Sequence, residues 1–170
     1  MIFETERLRA RDWTAADVAA VYGIYRDPDV VRFLGSVPQP IADEAEAAQR
    51  IERWTAANAA LAGTPYGFWA LETKDATLVG ATLLKPLPEA AEVEVGWHLG
   101  TAHWGNGYAT ESARGAIAHG FANGLDVVHA VIRPDNTASL AVAARLGMTH
   151  EGTTDRYYGV ELELFSLRRP

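Results

Sequence analysis

Cysteine is absent from the 170 residues, which excludes disulfides, thiolate metal ligands and a cysteinyl nucleophile. Any acyl group handled here must move without a thioester on the protein. Cations are in deficit: 15 Lys and Arg face 22 Asp and Glu, a formal net charge of −7. A phosphate-tracking nucleic-acid binder needs clustered Lys and Arg, so no nucleic-acid partner is expected, and a cationic substrate suits the overall field better. Long apolar runs are missing as well. None approaches the ~20 residues needed to span a bilayer, and the opening Met1-Ile2-Phe3-Glu4-Thr5-Glu6-Arg7 lacks the basic-then-apolar pattern of a secretory leader. A cytoplasmic protein without a membrane partner is expected. With no repeat, low-complexity tract or Gly/Ser-rich linker, residues 1–170 read as a single domain, a length at which roughly 70% of the unfolded surface is buried.

Period and punctuation supply the elements. Thr5 to Arg11 predicts a first strand, and Thr14-Ala15-Ala16-Asp17 has the spacing of a capping box opening a helix to about Tyr25, stopped by Pro28. From Ile41 to Leu61, apolar residues recur every three to four positions and paint one helical face, ended by Gly63 and Pro65. The period then changes to two, and Gly67–Glu72, Leu78–Lys85 and Glu92–Leu99 read as a meander. In the third strand Val93, Val95, Trp97 and Leu99 share one face, and Glu92, Glu94, Gly96 and His98 the other. A helix from Tyr108 to Ala122, a strand from Val127 to Arg133, a helix from Thr137 to Leu146 and a terminal strand at Val160–Leu164 complete a mixed α/β sheet. Trp13, Trp54, Trp69 and Trp97 are expected in the core, since large aromatics dominate burial.

The chemistry concentrates at Trp104-Gly105-Asn106-Gly107-Tyr108-Ala109-Thr110-Glu111. Two glycines between a strand and a helix start let main-chain N–H groups converge on an anion, and the helix N-terminus adds partial positive charge. A diphosphate fits such a loop. The third glycine of a dinucleotide fingerprint and the Gly-Lys-Ser/Thr of a Walker A loop are both absent. Further on, Val127–Arg133 runs into Pro134-Asp135-Asn136-Thr137-Ala138-Ser139, and the next helix closes at Leu146-Gly147-Met148.

Taken in this order, the 92–99 strand, the glycine loop and the Asn136-to-Met148 block resemble the GNAT superfamily of N-acetyltransferases over nearly the whole chain. The opening Glu6-Arg7-Leu8-Arg9 and the closing strand look like its RimJ/RimL-type branch, which acetylates protein N-termini and other amines. The resemblance implies a central, mostly antiparallel sheet flanked by helices, with acetyl-CoA as co-substrate. It further implies that the strand around Gly96 to Leu99, including Trp97 and His98, lies along the pantetheine arm. The amides of Gly105, Asn106, Gly107, Tyr108, Ala109 and Thr110 would hold the pyrophosphate, with Asn136 and Ser139 at the thioester. One departure stands at Ala102, where the superfamily often has Gln or Arg.

An alkyl ammonium with a pKa near ~10 must lose a proton before it attacks a thioester. By resemblance Glu94 is the first candidate base; His98, on the same strand face and with an ordinary pKa near ~6.5, is the second. Ser139, with Tyr157 or Tyr158 as alternatives, would protonate the leaving sulfur, and a main-chain N–H near His98 or Leu99 would meet the oxyanion. His103, His119, His129 and His150 have no ligand spacing, so no metal is expected. The resemblance implies a primary-amine acceptor, either a protein N-terminus or a small molecule, whose pocket would come from the first two helices and the Thr154–Gly159 loop. A homodimer is compatible with the sequence. The alternative is a non-catalytic acyl-CoA sensor on the same scaffold, which would have no use for Glu94 and Ser139.

Overall fold

A computed structural model describes every residue except Ser36. Strands β1 (Phe3–Glu4), β2 (Leu8–Arg11), β3 (Gly67–Thr73), β4 (Leu78–Pro86), β5 (Val93–Leu99), β6 (Val127–Ile132), β7 (Thr149–Thr154) and β8 (Leu162–Arg168) form one eight-stranded sheet. Its order is β1-β2-β3-β4-β5-β6-β8-β7. Neighbours are antiparallel except β5 and β6, which run parallel. That exception follows from α4 (Tyr108–Ala122), which carries the chain from β5 back to the start of β6; a parallel pair needs such a crossover.

Helices cover both faces. On one, α1 (Val18–Tyr25) and α3 (Glu44–Ala60) bury Val21, Ile24, Tyr25 and Ile51 against Ala70 and Ala81 of the sheet. On the other, α4 and α5 (Thr137–Arg145) bury Ala113, Ala116, Ile117 and Ala143 against Val93, Val95, Val128 and Ala130. Each fully buried aliphatic side chain contributes about 1.5–3 kcal/mol. The short α2 (Pro28–Val31) follows α1.

Local chemistry explains where the elements begin. The Asp17 carboxylate accepts from the Thr14 N–H at 2.8 Å, so the anticipated capping box is present; it opens a 3-10 turn at Ala15–Asp17 that leads into α1. At α3, Asp43 accepts from the Glu46 N–H at 2.8 Å. Pro28 does more than stop α1: it occupies the first turn of α2, where its missing N–H costs nothing, behind the cap Asp27.

Three expectations need correction. The first strand is not continuous from Thr5 to Arg11, because Thr5 accepts from the Leu8 N–H through its hydroxyl and turns the chain into a hairpin, β1–β2. Strand β7 was not anticipated, since Thr149-His150-Glu151-Gly152-Thr153-Thr154 has no apolar alternation; it lies at the sheet edge, where one polar face suffices. The terminal strand spans Leu162–Arg168, further along than Val160–Leu164, because it pairs with both β6 and β7.

Candidate active site

The parallel pair determines where a ligand can enter. Strands β5 and β6 are in register only at Glu94 opposite His129. Beyond that point they part, and the rest of β5 keeps its pairing with β4 alone. The opening runs into a cleft of about 1350 Å³ lined by Trp97, His98 and Leu99, the glycine loop, the first turn of α4, and Asn136 and Ser139 at the start of α5.

The glycine loop is shaped for main-chain donors. Gly105 and Gly107 have φ of 77° and 78°, and Gly107 is the N-cap of α4. Side chains rarely adopt this left-handed backbone. The first intrahelical bond is Glu111 N–H to Gly107 carbonyl at 3.1 Å, which leaves the N–H groups of Tyr108, Ala109 and Thr110 without helix acceptors. Arg7 braces the loop. Its guanidinium donates to the Asn106 carbonyl at 3.0 Å and to Glu111 at 2.6 Å, and it lies over the Tyr108 ring. Burial opposes ionisation of Glu111, yet hydrogen bonds from Thr5 and Arg7 hold its carboxyl below the usual range. With Ala102 unable to contribute charge, Arg7, Arg114 and Arg145 are cations lining the same cleft. The open edge of β5 and the main-chain donors of the left-handed glycine loop fit a long ligand with a diphosphate.

A second cavity of about 600 Å³ lies on the other side of the β5 opening and shares Trp97, His98, Asn136 and Ser139 with the first. Its lining comes from Tyr25 of α1, Arg50 and Trp54 of α3, Lys85 and Glu94 of the sheet, and Tyr158 of the loop before β8. Strand register brings Lys85 directly opposite Glu94, with Lys85 Nζ 3.9 Å from Glu94 Oε2. The Tyr158 hydroxyl donates to the same oxygen at 2.5 Å. Among the described residues, Oε1 has no such partner. Burial pushes the Glu94 carboxyl above its ordinary value, with Lys85 and Tyr158 opposing, and raises the Tyr158 phenol as well, so that hydroxyl stays protonated. His98, hydrogen-bonded through Nδ1 to the Tyr25 hydroxyl at 3.2 Å, is pushed down to about 4 by burial, with a smaller effect of Lys85. It is neutral and weakly basic. At the junction of the cavities Ser139 Oγ accepts from Trp97 Nε1 at 3.3 Å, while the Ser139 N–H is capped by Asn136 at 3.2 Å.

Residues 7–149 match the family described as acetyltransferase (GNAT) domain. The chain belongs to the GNAT acetyltransferase family. It is 28% identical over 158 residues to the uncharacterised N-acetyltransferase YoaA of Bacillus subtilis (strain 168), covering 92% of this chain and 87% of that one. Among solved structures, a Vibrio cholerae protein provisionally described as a ribosomal-protein-serine acetyltransferase superposes with a TM-score of 0.81 at 22% identity, over 98% and 96% of the two chains. The microcin C7 self-immunity acetyltransferase MccE, solved with acetyl-CoA and AMP, gives 0.80 at 17% identity over 97% and 94%. The protein is thus an acetyl-CoA-dependent acetyltransferase with the mixed, mostly antiparallel GNAT sheet.

This acetyltransferase brings most of the anticipated residues together. Trp97, His98, Leu99, Gly105, Gly107, Tyr108, Ala109, Thr110, Asn136 and Ser139 line the larger cleft; Glu94, His98 and Ser139 line the smaller cavity. Asn106 lines neither, its side chain donating back to the His103 and Trp104 carbonyls at 3.2 Å. Tyr157 is ruled out as a proton donor to a ligand: it is 1% exposed, and its hydroxyl donates to Glu92 at 3.3 Å. Trp13 and Trp69 are core, but Trp54 and Trp97 are cavity walls. Tyr25, Arg50, Lys85 and Arg133 were missed. Of these only Lys85 was recoverable, from pairing the meander strands in register; the others meet the site through long-range packing.

Proposed function

We propose that the acceptor is a primary amine attacking the acetyl group directly, with Glu94 as the proton acceptor and Ser139 as the hydroxyl that meets the leaving sulfur. The observation that carries this reading is the shared wall: Glu94 lies in the smaller cavity, and Ser139 lies where that cavity opens onto the larger cleft. Bound acetyl-CoA supplies an electrophilic acyl carbon and a thiolate leaving group. Residues Gly105 to Thr110 present main-chain donors to the pyrophosphate, and the β5 edge orients the arm. The Tyr158 hydroxyl holds Oε2 of Glu94, with Lys85 Nζ 3.9 Å from the same oxygen, which leaves Oε1 to take the ammonium proton. A carboxyl raised by burial is a better base than an ordinary one. His98 is the weaker candidate because its ring nitrogen binds a proton only at about pH 4. Its support is positional: the Tyr25 bond anchors the β5 backbone beside the thioester, where a main-chain N–H near His98 or Leu99 meets the oxyanion.

The RimJ/RimL-like affinity rests on the opening Glu6-Arg7-Leu8-Arg9 and on likeness to the Vibrio cholerae protein. The test is CoA release from acetyl-CoA against a panel of peptides and small amines, with Glu94→Gln and Ser139→Ala alongside. Acetylation of an amine by the parent and its collapse in Glu94→Gln is the expected result. Parental turnover in Glu94→Gln removes Glu94 from the mechanism.

A further inference from the structure

The net charge of the chain is −7, but the lining of the smaller cavity has the opposite balance. Arg50, Lys85 and Arg133 face it, with Glu94 as the carboxylate among its lining residues. Arg50 is committed, donating to Glu46 at 2.7 Å and to the Gln39 carbonyl at 3.2 Å. Lys85 reaches Glu94 only at 3.9 Å and otherwise lies over the Tyr158 ring. Arg133, half-buried at the end of β6, has no side-chain hydrogen bond or ion pair among the described residues. A half-buried guanidinium with no partner among the described residues is free to meet a ligand, and its planar fork suits a carboxylate or phosphoryl group. The remaining wall is aromatic: Trp54 lies 4.7 Å from Phe68 and 5.6 Å from Tyr25, and Phe68 lies 5.5 Å from His98, ring centre to ring centre.

We propose that the acceptor is a small amine with an apolar or aromatic body and its own carboxylate or phosphoryl group, the anion being held by Arg133 and Lys85. This rests on the acetyl transfer to an amine proposed above. The anion offsets the two cations that would otherwise repel an incoming ammonium. The same field disfavours a polyamine, whose every charge meets Lys85 and Arg133. A cavity of about 600 Å³ suits a small molecule, and its aromatic rings supply the affinity that the anion orients.

Matched acceptors test this in the parent enzyme with acetyl-CoA. Phenylalanine and 1-amino-2-phenylethylphosphonate are compared with phenethylamine, which keeps the ring and amine and lacks the anion; the two anionic arms separate carboxylate from phosphoryl recognition. The expected result is a kcat/KM at least about tenfold higher for one anionic member, the scale of a charge-assisted hydrogen bond. Arg133→Gln should shrink that ratio towards one through KM, while Arg53→Gln, on the exposed side of α3, should keep it. A second measurement needs no turnover. With CoA bound, calorimetry should find N-acetylphenylalanine or its phosphonate counterpart binding at least about tenfold tighter than N-phenethylacetamide, and Arg133→Gln should erase the contrast. Equal binding of charged and uncharged products overturns the proposal, as does a preference that survives Arg133→Gln or a neutral peptide acetylated faster than every small anionic amine. If acetyl-CoA binds but no amine is acetylated, amine transfer fails, and product binding still decides the anion site.

Discussion

Glu94 and His98 stand four residues apart on one strand face, yet their surroundings push their proton affinities towards each other. Burial raises Glu94 and lowers His98, each disfavouring its charged form. With Glu94 as the proposed base, the active form is the carboxylate, so kcat/KM should climb as pH rises through a value above the ordinary 4.5. Glu94→Gln should lose turnover by about 100-fold while acetyl-CoA affinity stays parental; isothermal titration beside the rate assay separates the two. Stability runs the other way. A raised folded-state value means that the contribution of Glu94 is complete below its unfolded value and is lost as pH rises through the folded one. The melting temperature of Glu94→Gln relative to the parent should therefore be more favourable at pH 8 than at pH 4. For His98 the sign reverses: its contribution is present above 6.5 and is lost as pH falls through about 4. His98→Gln should consequently flatten the loss of melting temperature over that interval, and an unchanged acid profile would place the titrating group elsewhere.

Helix α4 meets the larger cleft through its first turn. Gly107 holds the N-cap with φ of 78°, and a Cβ there would meet only Arg7 Nη2 at 3.5 Å, so backbone conformation rather than crowding demands glycine. A left-handed conformation costs an ordinary side chain about 1–2 kcal/mol, and more for a branched one. Gly107→Val should lower the melting temperature and weaken acetyl-CoA binding at least about tenfold, since the helix can recover only by turning its N–H groups away. Gly124→Val is the matched control, because Gly124 also has positive φ, 94°, but lies beyond the far end of α4. It should cost stability and spare acetyl-CoA affinity. Equal affinities in the two variants would mean that the pyrophosphate does not use this turn.

Across the molecule, the larger cleft gathers residues from Glu6 to Arg145, which only the folded chain brings together. A ligand that binds there and not to the unfolded chain stabilises by mass action, about 2.7 kcal/mol at a concentration of a hundred times Kd. For a chain of this length that is roughly a 5–10 °C rise in melting temperature. Acetyl-CoA should produce a shift of that size, and CoA a smaller one because it lacks the acetyl contacts at the thioester end. No shift with a folded sample would remove the cleft as the cofactor site.

Much of this architecture is legible in the amino-acid sequence itself. Apolar spacing of three to four marked α3, period two marked β3 to β5, and Gly105, Gly107 and Asn136 punctuated two strand-to-helix junctions, because propensity, capping and turn chemistry act within a few residues. The polar edge strand β7 and the Thr5 turn were not legible, since pairing partners rather than composition decide them. Tertiary structure alone placed the Tyr158 hydroxyl on one oxygen of Glu94, packed His98 against Tyr25, withdrew Tyr157 into the core and brought Arg133 into the smaller cavity. Desolvation and charge juxtaposition depend on which distant segments pack together, and local spacing does not encode that.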